Sequence, residues 1–316
     1  MHWPWLFNGG VLVRVLLDGF GSGMFLASTY RAFRKQGVPV VQFMNSILPW
    51  KMQFLNLRLH KKILVIDGAT AFIGGLNIAD ENTGRMRKNI VVRDTHFKIR
   101  GSVINQITTD FIDDWLLGAG EELLESIWIP VAHEKGAVES RVIVSGPDQD
   151  AEQLSLVLLA AISAAQKSNR IATPYFLPDE QLMTALQLAA TRGVDVRIVI
   201  PMFSDHVPLN WAVHAHVLPL LQAGCRIWQA PLPFDHSKLM VVDDIWCLFG
   251  SPNWDRRSLR LNFELAIEAY DPALAAQLSA IIDQNSVTPL TLKELEARSF
   301  LAKCRDAATR LMMPYL

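Results

Sequence analysis

An α/β fold made of two related units is predicted by three features of the sequence. Short apolar runs of strand composition alternate with helix-length amphipathic segments. A block of fixed spacing occurs twice: His60-Lys61-Lys62-Ile63-Leu64-Val65-Ile66-Asp67 followed by Gly74-Gly75-Leu76-Asn77, and His236-Ser237-Lys238-Leu239-Met240-Val241-Val242-Asp243 followed by Gly250-Ser251-Pro252-Asn253. The segments around each block also recur in the same order, so the internal repeat covers most of the chain.

In chain order, residues 11–18 match residues 194–201 as a shared strand, and 33–43 match 221–230, each with a glycine before an apolar run. Residues 63–66 and 239–242 are uninterrupted apolar runs, read as central strands buried on both faces. Their neighbours are strands at 71–73 and 246–249, and residues 89–101 line up with 262–271. The units are unequal at their starts. The second carries extra strands at 141–144 and 170–173 and helices at 153–166 and 179–192, where the first has only residues 1–10. By the repeat's own logic, about fifty residues are absent from the first unit, which would expose a sheet edge. The glycine-containing stretch 118–140 separates a unit at 1–125 from one at 138–316. Residues 203–217 read as irregular. Residues 291–312 read as one helix, expected to pack on the domain. Its apolar stripe holds Ala297, Phe300, Leu301, Cys304, Ala308, Leu311 and Met312. Lys293, Arg298, Lys303, Arg305 and Arg310 suggest a second reading for it, contact with anionic lipid.

Half of the 316 residues are apolar, 19% are charged and the net charge is −1, so no global basic field favours a nucleic-acid partner. Cys225, Cys247 and Cys304 form no disulfide or zinc pattern and indicate a reducing compartment. No apolar run reaches the length of a membrane span. The residues at the start lack the layout of a signal peptide. A peripheral membrane role needs neither.

The repeated block reads as chemistry. Along an extended chain, side chains alternate faces, so His60 and Lys62 share a face, as do His236 and Lys238. The Gly74-Gly75 and Gly250-Ser251 pairs are expected to let backbone approach a ligand, making Gly75 and Ser251 candidate substrate contacts. Asn77 and Asn253 offer amides near a helix start, where backbone N–H groups favour an anion. Two lysines and two asparagines converging on one phosphate diester make a clamp. One neutral imidazole attacks phosphorus while the other, protonated, serves as acid and then base. The lysines neutralise the phosphate oxygens, so this reading calls for no metal and no cofactor. Asp94 and Glu264 hold aligned places after the two blocks and are expected to orient the histidines. Asp67 and Asp243 belong to the motif. At the strand ends they are expected to fix turns rather than touch substrate. His96 reads as structural or as lying near the site, and His206, His214 and His216 read as ordinary surface or core positions or as a channel rim. Arg256 and Arg257 read as intramolecular ion pairs or headgroup contacts, Arg85, Arg87 and Lys88 as a solvated loop, and 82–84 as a turn.

The doubled His-x-Lys-x4-Asp pattern resembles the phospholipase D superfamily, and within it the bacterial cardiolipin synthases. The narrower likeness rests on Arg93-Asp94-Thr95-His96, on Thr173-Pro174-Tyr175-Phe176-Leu177-Pro178, and on residues 250–258 with Asn262-Phe263-Glu264. The resemblance implies two pseudo-symmetric phospholipase D-like repeats, each a mixed sheet flanked by helices, with the active site at their interface. His60, Lys62, Asp67, His236, Lys238 and Asp243 would be the catalytic set. The implied reaction passes a phosphatidyl group from one phosphatidylglycerol to an enzyme histidine, His60, with His236 as acid/base, and then to a second phosphatidylglycerol, giving cardiolipin and glycerol. The implied partners are anionic phospholipid and a membrane surface. The implied location is the bacterial inner membrane on its cytoplasmic side, or the cytoplasm. Water as acceptor would make the chain a phospholipase D-type hydrolase. A nuclease, or an inactive truncated remnant, are the remaining readings. Membrane-spanning helices common in such synthases have no counterpart in this sequence, and residues 231–235 differ from the usual run there.

Overall fold

A computed structural model describes residues 10–19, 28–43, 57–77, 91–129, 136–147, 152–204 and 206–311. The expected features at 1–9, 82–84, Arg85, Arg87, Lys88 and Met312 lie outside these described residues.

The first half contributes β1 (Val15–Asp18), α1 (Ser28–Lys35), β2 (Val40–Phe43), β3 (Ile63–Ile66) and β4 (Thr70–Gly74). It continues with β5 (Val92–Arg93), β6 (His96–Ile99), α2 (Val103–Ala119) and α3 (Glu125–Trp128). The second half opens with β7 (Glu139–Ser145), α4 (Gln153–Ala164), β8 (Ser168–Ala172), β9 (Phe176–Leu177), α5 (Glu180–Thr191) and β10 (Asp195–Pro201). Next come α6 (Val207–His216), α7 (Leu218–Gln222), β11 (Arg226–Ala230), β12 (Phe234–Asp235), β13 (Leu239–Val242), β14 (Trp246–Gly250) and β15 (Trp254–Asp255). The chain closes with α8 (Arg256–Arg260), β16 (Glu264–Tyr270), α9 (Pro272–Asn285), β17 (Thr288–Leu290), α10 (Leu292–Glu296) and α11 (Phe300–Leu311).

Among the described residues the main sheet has the order β17-β11-β10-β8-β13-β14-β16-β7. Its β8, β10 and β11 are parallel, while β13, β14, β16 and β7 are antiparallel neighbours. The first half repeats parts of this plan. Parallel β1 and β2 match β10 and β11, and antiparallel β3-β4-β6 match β13-β14-β16. One face of the main sheet buries Leu158, Ile162, Leu182 and Leu186 from α4 and α5. The other face buries α9 together with Ala71, Ile73, Ile104 and Ile107 from the first half, so the two halves share one core. Within it Phe97 of β6 stacks on Phe249 of β14 with ring centroids 4.0 Å apart.

Four expectations are corrected. Strand β13 is buried throughout, but β3 is not: Leu64 and Ile66 are 54% and 44% exposed. The reason is position, since β13 lies between β8 and β14 whereas β3 has only β4 beside it among the described strands. Residues 207–216 are helical rather than irregular, with Pro208 in the first turn, where its missing N–H costs no helical bond. The 291–312 segment is two helices, not one. Thr291 and Glu294 form a capping box for α10, and Ser299 restarts the chain by accepting from the Ala302 N–H. The stripe of α11 expected to face the domain is also turned outward, with Phe300 and Leu301 both 78% exposed.

Replacing Phe249 by Ala should remove the stacked contact between the two sheets and cost about 3–5 kcal/mol in urea unfolding of the full chain. A loss under about 1 kcal/mol would show that the halves are held together elsewhere.

Candidate active site

Two matching backbone junctions place the histidines. Strand β12 runs parallel to β5, and the His236 N–H donates to the Arg93 carbonyl at 2.7 Å. In the other direction Leu59 bridges to Phe263, and the His60 N–H donates to the Phe263 carbonyl at 2.9 Å. Each histidine is therefore fixed beside the residue preceding a carboxylate of the opposite half, Asp94 or Glu264.

The carboxylates complete a crossed pairing. His60 Nδ1 lies 2.8 and 2.9 Å from the two Glu264 oxygens. His236 Nδ1 lies 2.9 Å from Asp94 Oδ2. Lys62 Nζ donates to the His60 carbonyl at 2.6 Å, and Lys238 Nζ to the His236 carbonyl at 2.5 Å. The charge of Lys238 reaches His60 and that of Lys62 reaches Lys238, so both pairs form one cluster.

The two sides differ. Glu264 accepts from Ser251 Oγ at 2.5 Å, from Asn262 Nδ2 at 3.2 Å and from Ser258 Oγ. Burial alone would raise its pKa, but His60, Lys62 and these donors outweigh it and leave the carboxyl at about 2. Asp94 has a buried Oδ1 without a hydrogen-bond partner. Burial raises its pKa to about 6 despite the opposing charge of Lys238. His236 Nδ1 also lies 2.9 Å from Lys238 Nζ, so it can donate to Asp94 or accept from Lys238. Burial lowers the pKa of His60 and favours its neutral form. Burial likewise brings Lys62 to about 8 and Lys238 to about 7.

The glycine pairs let protein groups approach one another closely. A Cβ on Gly75 would sit 2.5 Å from Asp94 Oδ2 and 2.9 Å from the His236 carbonyl. A Cβ on Gly74 would meet the Thr95 carbonyl at 2.6 Å, and one on Gly250 the Leu265 carbonyl at 2.3 Å. These glycines let the strand beyond each carboxylate lie close, and Gly75 leaves the space that Asp94 fills. Ser251, at the place of Gly75, uses its hydroxyl on Glu264. Both therefore lie against the carboxylates that hold the imidazoles. The asparagines also part company. Asn253 is buried, borders the same small cavity as Lys238, and has an Oδ1 without a partner. Asn77 is exposed.

Asp243 stands at the far end of β13 from Lys238 and accepts three backbone N–H groups, from Gln166, Lys167 and Ser168 at 2.7–2.8 Å. Asp67 takes the same left-handed backbone, with φ 52° at both residues. Asp243 thus ties a turn to the start of β8 and does not reach the imidazoles. Of the other histidines, His206 lies at the rim, its ring 5.8 Å from Tyr175, which is itself 6.2 Å from His236. His216 is buried, donates from Nε2 to the Pro178 carbonyl, and is brought to about 4 by burial, as suits a structural residue. Arg257 senses Arg58, Asp255 and Asp18.

Several supporting residues were not singled out from sequence. Ser258 and Asn262 lie inside the quoted motif, and their role follows only once Glu264 is placed. Asp235 accepts from the Ser237 N–H, from Asn285 Nδ2 at 2.5 Å and from Arg93 at 3.2 Å, which fixes the residue before His236. Lys61, in the centre of the first motif, is buried against Asp110 and Asp114 of α2 at 2.7 and 2.8 Å. No local spacing signals these long-range partners.

Gly75→Ala should displace the Asp94 carboxylate and lower turnover at least about tenfold with the fold intact; a wild-type rate would show that Asp94 does not need this space. Asp243→Ala should cost about 2–3 kcal/mol of stability through its three lost acceptor contacts. Near-normal turnover of the folded fraction is expected at low temperature, and loss of chemistry in a protein of unchanged stability would place Asp243 in the reaction.

Comparison with known proteins gives the family of the chain. Residues 6–115 and 158–285 match the family described as "Cardiolipin synthase, PLD-like domain". Cardiolipin synthase 2 of Staphylococcus epidermidis is 36% identical over 311 residues, covering 97% of this chain and 64% of that protein. Cardiolipin synthase 1 of Bacillus cereus is 33% identical over 319 residues, covering 97% of this chain and 62% of that protein. The chain thus spans less than two thirds of the length of these relatives. The crystal structure of phosphatidylserine synthase from Haemophilus influenzae Rd KW20 superposes with a TM-score of 0.71 at 16% identity, over 96% of this chain and 83% of that one, a likeness of fold. The chain belongs to the cardiolipin synthase family of phospholipase D-like proteins.

Proposed function

We propose that this chain transfers a phosphatidyl group between two phosphatidylglycerol molecules, giving cardiolipin and glycerol through a phosphohistidine. The observation that carries the reading is the crossed pairing. Each imidazole is held through Nδ1 by a carboxylate of the other half, and two lysines stand in the same cluster. The reaction is accordingly assigned to the Nε2 atoms.

His60 is the nucleophile. Its Nδ1–H donates to a carboxylate that stays ionised, which leaves the lone pair on Nε2 to attack phosphorus. Lys62, Lys238 and Asn253 hold the phosphate oxygens as charge builds. His236, protonated, gives its proton to the departing glycerol oxygen. It then takes a proton from the hydroxyl of the second phosphatidylglycerol, whose oxygen attacks phosphorus and frees His60. The two partners at His236 Nδ1 suit a ring that changes protonation twice per cycle. Glu264 and Asp94 position the rings, and Asp67 and Asp243 hold turns. In this reading residues 1–125 and 138–316 act as two repeats that each lend half a site. The chain works at the surface of the bacterial inner membrane, on its cytoplasmic side. Among the described residues no helix is long and apolar enough to cross a membrane.

Product analysis on phosphatidylglycerol tests the reaction: cardiolipin with glycerol is expected, and phosphatidic acid with glycerol would assign a hydrolase. His60→Ala and His236→Ala should each lower turnover by at least about three orders of magnitude, because neither ring can take over the other's role. After acid quench, label from the phosphatidyl donor should be found on His60; label on His236 would reverse the roles. The profile of kcat/KM against pH should be a narrow bell. It rises as Asp94 ionises near 6 and falls as Lys238 and Lys62 lose their protons from about 7 to 8. A flat profile from 5 to 9 would contradict these assignments.

A further inference from the structure

We infer that the outward face of α11 is a docking surface for an anionic lipid bilayer. Helix α11 packs along α6, and it does so with its polar side. Asp306 is 2% exposed in that contact and is held by Arg298 at 2.8 Å and Arg305 at 2.7 Å. Arg305 also lies over the Trp211 ring of α6 at 4.2 Å.

Pinning the polar side leaves the apolar side outside. At 100° per residue, Phe300, Leu301, Cys304, Ala308 and Leu311 fall within about 100° of the helix circumference, opposite Asp306 and Ala302. The three large ones are 78%, 78% and 80% exposed. Single exposed apolar residues are ordinary, but a stripe of them along one helix marks a contact surface.

Charge selects what covers it. Lys303 and Arg310 are exposed along one flank of the stripe. The one acid of the helix is the buried, ion-paired Asp306. The outer surface is thus apolar with a positive edge, the arrangement that sinks into acyl chains while its cations reach anionic headgroups. A second copy of the chain fits less well. In a twofold antiparallel pair the flank bearing Lys303 and Arg310 would meet itself, setting like charges together.

The location suits the proposed reaction. Helix α6, to which α11 is fastened, begins beside His206, the ring 5.8 Å from Tyr175 at the site's rim. Phe203 and Val207 at that end are 58% and 53% exposed. A bilayer contact here would keep the cleft close to lipid. The inference rests on the lipid-transfer reading for the identity of the surface.

Co-sedimentation of the full chain with vesicles tests it. Vesicles containing phosphatidylglycerol should bind the protein, those of phosphatidylcholine alone should bind it weakly, and added salt should weaken binding. Leu301→Glu and Phe300→Ser should each lower vesicle affinity about tenfold with an unchanged unfolding midpoint. Both variants should keep wild-type turnover on water-soluble short-chain phosphatidylglycerol, which His60→Ala should lose. Equal vesicle binding by wild type and variants would overturn the inference. Absence of binding by the wild type would overturn it as well, including the case where Leu301→Glu instead splits a dimer. A wild type that binds vesicles through α11 yet makes no cardiolipin would refute the transfer reading and keep the docking surface.

Discussion

Each half of the molecule holds the other half's histidine by a carboxylate, and most other features of the site serve that exchange. The parallel junctions at β5–β12 and at Leu59–Phe263 carry the carboxylates across. Gly74 and Gly250 let neighbouring backbones close up, and Gly75 makes room for Asp94. The shared core holds the halves in register through Phe97 and Phe249. Neither half alone would have an oriented imidazole. This is a physical reason for two units to remain in one chain rather than act separately.

Within the near-symmetry the two carboxylates live in different surroundings. Glu264 is surrounded by donors and remains a carboxylate, so the hydrogen on His60 Nδ1 has one destination. Asp94 has one oxygen without a partner and a pKa raised to about 6 by burial, and His236 lies between it and Lys238. A fixed ring suits a nucleophile, and a ring with two alternatives suits proton transfer. Ser251 opposite Gly75 is the simplest sequence trace of this difference. At that one place the repeat supplies a hydroxyl in one half and empty space in the other.

The residues of the cluster were legible in sequence because their spacing repeats. His60, Lys62, His236, Lys238, Asp94 and Glu264 all enter the cluster. Who pairs with whom was not legible, because the crossing is made by strands far apart in the chain. The contact of Gly75 with Asp94 and of Ser251 with Glu264 was not legible for a related reason: a glycine pair marks a close approach without saying what approaches. Strand β13 was read correctly as fully buried, and the same reading failed for β3, since burial depends on neighbours that an apolar run does not encode. In α11 the stripe itself was read correctly but its direction was not. An amphipathic pattern does not show that the buried Asp306, with Arg298 and Arg305, would supply the inward face.

Each imidazole is held, and so tuned, by the carboxylate of the opposite half. Nitrogen-15 NMR of the histidine rings reads this directly. At neutral pH His60 should appear as the neutral ring with its proton on Nδ1. Glu264→Gln should perturb the His60 ring more than that of His236, and Asp94→Asn the His236 ring more than that of His60. Two rings each indifferent to the carboxylate of the opposite half would contradict the account.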